Sequence, residues 1–371
     1  MSGGVVWILG AGFSQPLGAP LLFDLLGEGS ANRLLAAFPN SKLLHQTRAM
    51  SIVRALYAYG TAWRNTRPPA EALLPGEQIW TDAEQFLEML DAAEPNTPQA
   101  RRLNPLLTKL ATHVPFPAGN SGDAISLELI RDDARAHVAA ECAAFLEGAD
   151  PTVEQWSPFR KWRAELDRWD CVVSFNYDRI CEVLPSQGNK CSLRTILPAD
   201  LAADAPRPAD VVPLLKLHGS VDWEFTDDRT SVRRAAAKIQ DQAGTDRVGI
   251  ATPGKTKQSA ASKAFKPLWD EATVRIATAQ AIVFVGYRFP PSDAFAREQL
   301  LGAIRQNNVK NLQITTVLGK HGADSERLGE LLRFALRKRG RADGKLYEPP
   351  LYSQDLFSIW DRSSALNPYR D

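Results

Sequence analysis

Apolar residues follow two rhythms along this chain. Val5–Leu9 (VVWIL) is a β-branched and aromatic run closed by Gly10, the pattern of a buried parallel strand feeding a glycine turn. From about 21 to 167 the spacing turns helical, in Ile52-Ala55-Leu56-Tyr59-Trp63, in Phe86-Leu87-Leu90 and in Leu103-Leu106-Leu107-Leu110. Pro68, Pro69, Pro95, Pro98, Pro115 and Pro117 punctuate this block, because proline removes an amide donor and ends helices. After Trp169 short apolar runs return at 171–175, 211–217, 248–250, 281–285 and 312–318, each of strand length. Helical stretches at about 259–279 and 292–306 separate the last three, and that alternation predicts a parallel sheet. The expected fold is therefore α/β: a Rossmann-like parallel sheet with helices on both faces, interrupted by a large helical insertion. On this reading 1–25 and 168–371 form the sheet domain and 26–167 the insertion, with 199–210 and 252–262 as loops.

Composition narrows the class. Hydrophobic residues make up 44% and charged residues 23%, as in globular proteins, and 371 residues suit one large or two moderate domains at about 150 residues each. Lys and Arg number 44 against 43 Asp and Glu, a net charge of +1, so no global field draws the chain to a phosphate backbone or an anionic membrane. Direct nucleic-acid binding is not expected. Cys142, Cys171, Cys181 and Cys191 never form the close pairs of a zinc ribbon, so no zinc or other metal is expected. No stretch reaches the roughly 18 apolar residues that cross a bilayer, and Val5–Leu9 lacks the length and basic start of a signal peptide. These features predict a soluble cytoplasmic protein with reduced thiols.

Four motifs carry candidate chemistry, each at the carboxyl end of an expected strand, where open parallel sheets bind ligands. Gly10-Ala11-Gly12-Phe13-Ser14 follows the first strand and has the glycines that let a backbone approach a pyrophosphate; Gln15 replaces the third glycine of the dinucleotide fingerprint, and a tight structural turn is the alternative. In Ser174-Phe175-Asn176-Tyr177-Asp178, the Asn and Asp suit ribose hydroxyls, an amide or a water, or else a turn and a helix cap. Leu217-His218-Gly219-Ser220 puts a group that titrates near neutral pH beside a glycine that leaves room for substrate. Gly286-Tyr287 opens the last motif, which runs on to Ser292 and Asp293, both read as helix caps.

In this order the residues resemble the sirtuin-like domain, in the branch of bacterial anti-phage defence systems that hydrolyses NAD+. Gly10 to Ser14 match the family's Gly-Ala-Gly-x-Ser loop, and Gly18-Ala19-Pro20 resembles its Gly-Ile-Pro. The segment from Ser174 to Asp178 resembles Thr-Gln-Asn-Ile-Asp, keeping the Asn and Asp and replacing Gln with Phe175. His218-Gly219 aligns with the family's His-Gly, and Gly286-Tyr287-Arg288 with the late Gly-Thr-Ser; the run into Pro290-Pro291-Ser292-Asp293 is that of the hydrolase branch. The zinc ribbon of the deacylases is missing, and Leu21-Leu22-Phe23 stands in place of their Asp-Phe-Arg. The resemblance spans about 1–25 and 168–320.

The resemblance implies a NAD+ glycohydrolase that releases nicotinamide and ADP-ribose, with NAD+ as substrate. Asn176 would hold the ribose and the attacking water, Asp178 the nicotinamide pocket, and His218 would act as general base. Gly10, Ala11, Gly12, Phe13 and Ser14 would cradle the pyrophosphate, Ser174, Phe175 and Gly219 would line the crevice, and Gly286 and Tyr287 would meet the adenosine end. The bond breaks through an oxocarbenium-like state, for which positioning supplies most of the catalysis. The branch further implies control by a homo-oligomer or by a separately encoded partner, a DNA-translocating ATPase or short Argonaute protein, within abortive infection. A NAD-dependent protein deacylase and a non-catalytic nucleotide-binding assembly subunit are the alternative readings.

Overall fold

In the computed structural model, β1 (Val5–Leu9) is the central strand of a seven-stranded, all-parallel sheet. The structure describes residues 4–39 and 80–361, apart from 23, 28, 81, 94–95, 114–125, 187, 189, 203–207, 237–246, 252–259, 291–292, 321 and 342, together with 53 and 56. The other strands are β2 (Cys171–Ser174), β3 (Ser192–Thr195), β4 (Val211–Lys216), β8 (Ala281–Val285), β9 (Gln313–Val317) and β10 (Lys345–Tyr347), in spatial order β3-β4-β2-β1-β8-β9-β10. With the edge strand β3 set aside, the remaining six numbered along the chain give 3-2-1-4-5-6, the order of dinucleotide-binding sheets. The chain steps outward from β1 through β2 to β4, then returns to build β8, β9 and β10 on the other side. The reversal therefore falls between β1 and β8, and the carboxyl ends around it form the ligand crevice of such sheets.

Both faces of the sheet are buried, which is why its central strands read as unbroken apolar runs. Val5, Trp7 and Leu9 face one layer and Val6 and Ile8 the other, as the two-residue period of a strand requires. Trp7 packs against Trp162 of α6 (Ser157–Glu165) and against Phe357 and Trp360 at α12 (Ser353–Ile359), with ring centroids 5.6, 6.2 and 4.5 Å away. The opposite layer is α9 (Ala260–Thr278), α10 (Ala294–Gln306) and α11 (Ala323–Arg337), which contribute Leu268, Ile304 and Leu332 to that core.

The helical insertion has its own core, built from α2 (Ser30–Ala37), α3 (Ala83–Asp91), α4 (Pro98–His113) and α5 (Leu127–Ala144). Leu34, Phe86, Leu90, Leu103 and Ile130 fill it, and a buried polar node fixes its register: Glu141 accepts from the Leu26 amide at 2.7 Å and Ser30 Oγ lies 2.6 Å from His137 Nε2. The core extends to Tyr177, Val221, Val248 and Ile250, so the insertion packs on the segment that follows β2 and on the stretches around 221 and 248–250. Helix α6, placed within the insertion on sequence grounds, packs instead on the sheet. Pro68, Pro69, Pro95, Pro115 and Pro117 and most of the 52–63 pattern lie outside the described residues.

Other expectations are corrected. Val248–Ile250 is not in the parallel sheet: it is β7, paired antiparallel with β5 (Gly219–Phe225) in a three-stranded sheet completed by β6 (Val232–Arg234). The chain turns sharply after β4 because Gly219 takes φ +82, a left-handed conformation that suits glycine. The 199–210 segment opens within the helical turn Pro198–Ala202, and 260–262 already belong to α9. Among the described residues, no helix is long and apolar enough to cross a membrane.

Candidate functional site

Three of the four motifs meet through their backbones at the crevice. The Gly10 amide donates to Val285 O at 3.0 Å, the Gly12 amide to Gly286 O at 3.2 Å and the Phe175 amide to Leu9 O at 2.9 Å. Close packing accounts for the glycines here: a Cβ on Gly10 would stand 2.6 Å from Gly286 O, and one on Gly286 only 2.3 Å from the Gly12 carbonyl carbon. Gly286 therefore lets two loops touch, and that packing rather than the expected adenosine contact accounts for the glycine. Gly219 is corrected in the same way, because the room beside it is filled by Gly249 O, 2.0 Å from where a Cβ would sit. The Phe13 side chain lies in the core, edge-on to Phe159 and Trp162, so only its backbone belongs to the loop. Ala11 and Gly12 are the partly exposed floor.

Alternate side chains of the 174–178 segment serve two clusters. On one side Asn176 Nδ2 donates to Gly10 O at 3.0 Å and to Ser14 Oγ at 2.9 Å, and Ser14 Oγ donates to Asp178 Oδ2 at 2.7 Å. Asp178 Oδ1 accepts the Ile180 amide at 3.0 Å, and Ser174 Oγ accepts the Asn176 amide at 3.1 Å. Both Nδ2 hydrogens are thus used, one on a carbonyl that can only accept, so the amide orientation is fixed and Oδ1 is the remaining acceptor. Burial raises the Asp178 carboxyl above its ordinary range, while the nearby Lys216 charge pulls it back.

On the other side Phe175 and Tyr177 lie beside His218. Phe175 stacks on Tyr287 with centroids 4.0 Å apart and meets the imidazole edge-on at 5.0 Å. Asp293 joins this cluster: its Oδ2 accepts Tyr287 Oη at 2.6 Å and lies 3.4 Å from His218 Nε2, and its Oδ1 caps α10 through the Ala296 amide at 3.2 Å. Ser292, the other expected cap, lies outside the described residues. Burial lowers the His218 pKa below its ordinary value of 6.5, against the opposing pull of Asp293, so the imidazole is neutral at neutral pH and can accept a proton. The sequence-based site residues thus form two adjoining polar clusters linked along one backbone segment.

No protein-family model matches the chain, and no curated protein matches its sequence. Among the described residues, no group of three His, Cys, Asp or Glu side chains is arranged to hold a metal ion.

Sequence reasoning missed three residues of the site. Asp293 was legible only as a cap. Glu84, buried at the start of α3, brings the insertion to the crevice: after burial itself, its charge is the largest influence pushing the Tyr177 hydroxyl well above its ordinary pKa, and it acts on Tyr287 too. Lys216, 1% exposed, ends β4 and donates to the carbonyls of Asp178 and Tyr177, the latter at 3.4 Å, with Glu182 Oε1 also at 3.4 Å. A buried lysine in an apolar strand was the available signal. Lys216→Met is expected to destabilise the fold by about 2 kcal/mol, because it leaves buried acceptors without their donor; urea unfolding checks this, and an unchanged midpoint would remove Lys216 as the anchor of the 177–178 backbone.

Proposed function

We propose that this chain is a NAD+ glycohydrolase that cleaves the bond between nicotinamide and ribose to give nicotinamide and ADP-ribose. The observation that carries the reading is that one backbone segment, 174–178, at the carboxyl edge of a 3-2-1-4-5-6 sheet carries the oriented Asn176 amide and, through Phe175, adjoins the His218 imidazole. The resemblance to sirtuin-like defence hydrolases supplies the reaction, and the sheet order agrees with it.

Asn176 Oδ1 accepts a hydrogen bond from the ribose or from the attacking water, while its other end stays tied to Gly10 and Ser14. His218 takes the proton. Asp178 acts through Ser14, keeping the hydroxyl turned so that it accepts from Asn176. The Gly10–Ser14 backbone supports the pyrophosphate, although the Gly10, Gly12 and Phe13 amides already donate within the protein. His218 and Tyr287 are each 4% exposed, so a dinucleotide reaches the imidazole only when the aromatic side chains packed around it, Phe175, Tyr177 and Trp269, give way. Such gating suits an effector of abortive infection, held closed within a homo-oligomer or by a separately encoded partner until it is triggered.

Incubating the chain with NAD+ and quantifying nicotinamide tests the reading, with induction in cells as the arm in which a native trigger is present. His218→Ala is expected to lower turnover about 100-fold. The base form is lost as pH falls through a depressed pKa, so kcat/KM in the wild type should hold level below the ordinary histidine value of about 6.5 before declining. Intact NAD+ in both arms would sink the proposal.

A further inference from the structure

His218 has one nitrogen facing a carboxylate and one bare. Its Nε2 lies 3.4 Å from Asp293 Oδ2, and its buried Nδ1 has no hydrogen-bond partner among the described residues. An orphaned buried nitrogen calls for a partner, and a ligand atom can supply one. The carboxylate beside Nε2 is itself held in place, by the Tyr287 hydroxyl on Oδ2 and by the Ala296 amide on Oδ1. Asp293 is only 1% exposed, so these contacts are its environment rather than water. A carboxylate accepts and cannot donate, so the imidazole tautomer that satisfies it carries its proton on Nε2 and leaves the Nδ1 lone pair free.

We propose that Asp293 is a positioning residue for His218, holding Nε2–H so that Nδ1 is the atom that accepts the proton. Resting on the hydrolase reading above, this fixes the balance of the step. The attacking water gives its proton to Nδ1 and its oxygen electron pair to the ribose carbon. The glycosidic C–N bond breaks toward nicotinamide, which leaves neutral, and the imidazolium formed is stabilised by Asp293 before it returns its proton to solvent. Tyr287 acts one step further out, by restraining the carboxylate.

The test uses the full chain with ¹⁵N-labelled histidine, the His218 signals being assigned by their loss in His218→Gln. The ring nitrogens above neutral pH should report a protonated Nε2 and a bare Nδ1. In Asp293→Asn the Oδ1 keeps capping Ala296, so the amide nitrogen replaces Oδ2 and presents a donor to Nε2; the proton should move to Nδ1 and kcat fall about 100-fold, with KM within about threefold. Tyr287→Phe should keep the wild-type tautomer. A wild-type His218 protonated on Nδ1, or a tautomer indifferent to Asp293→Asn, would overturn the assignment. A wild type that carries Nε2–H yet releases no nicotinamide, in vitro or in induced cells, would uphold the atom assignment and end the hydrolase reading instead.

Discussion

Nicotinamide release is expected to fall about a thousandfold when Asn176 is replaced by Ala, the largest loss of any single change at the site. A preorganised polar group aimed at the reacting centre is worth roughly a hundred- to a thousandfold, and the upper end applies when no water can take its place. Asn176 is only 9% exposed. Its Nδ2 is clamped by Gly10 O and Ser14 Oγ, so the Oδ1 direction is set before substrate arrives and costs nothing to organise at the moment of reaction. Deleting it also frees Ser14 Oγ, through which Asp178 is tied to the loop. The stability cost should be smaller, about 1 to 2 kcal/mol for the lost hydrogen bonds, so the variant stays folded while activity collapses. Turnover by Asn176→Ala above a tenth of the wild-type rate would remove Asn176 from the reaction.

What could be read along the chain follows from what each element buries. β1, β2, β4 and β8 are covered on both faces, so hydrophobicity alone marks them, and the α9 and α10 helices were bounded to within two residues by their apolar spacing. β3 and β10 are edge strands with exposed positions and no such mark. The small sheet escaped notice because its cause is one backbone angle at Gly219, and a glycine beside a histidine reads equally well as space for substrate. Motif residues could be placed at strand ends, and Asn176 and Asp178 do meet the first loop. The pairing of His218 with Asp293 lies beyond local pattern, since 75 positions separate them and only the return crossover to β8 brings Asp293, just before α10, next to His218. Glu84 is further still from any sequence signal, because it reaches the crevice only through the docking of the insertion.

Gly286→Ala is expected to lower stability by about 2 to 5 kcal/mol, the largest such effect predicted for this chain. Two costs combine. Gly286 holds φ +67, where an L-residue loses about 1 to 2 kcal/mol. The added methyl would also stand 2.3 Å from the Gly12 carbonyl carbon and the Phe13 nitrogen, which are backbone atoms that cannot rotate away, and overpacking of that kind costs about 1 to 3 kcal/mol. Gly18→Ala separates the two, since Gly18 sits at φ +96 with nothing within 4 Å of its Cβ position and should lose only the conformational part. Urea unfolding of both variants therefore measures the contact between the β1 and β8 loops without reference to any ligand. If the two substitutions cost the same, those loops do not touch, and the joined floor on which Asn176 is oriented would have to be redrawn.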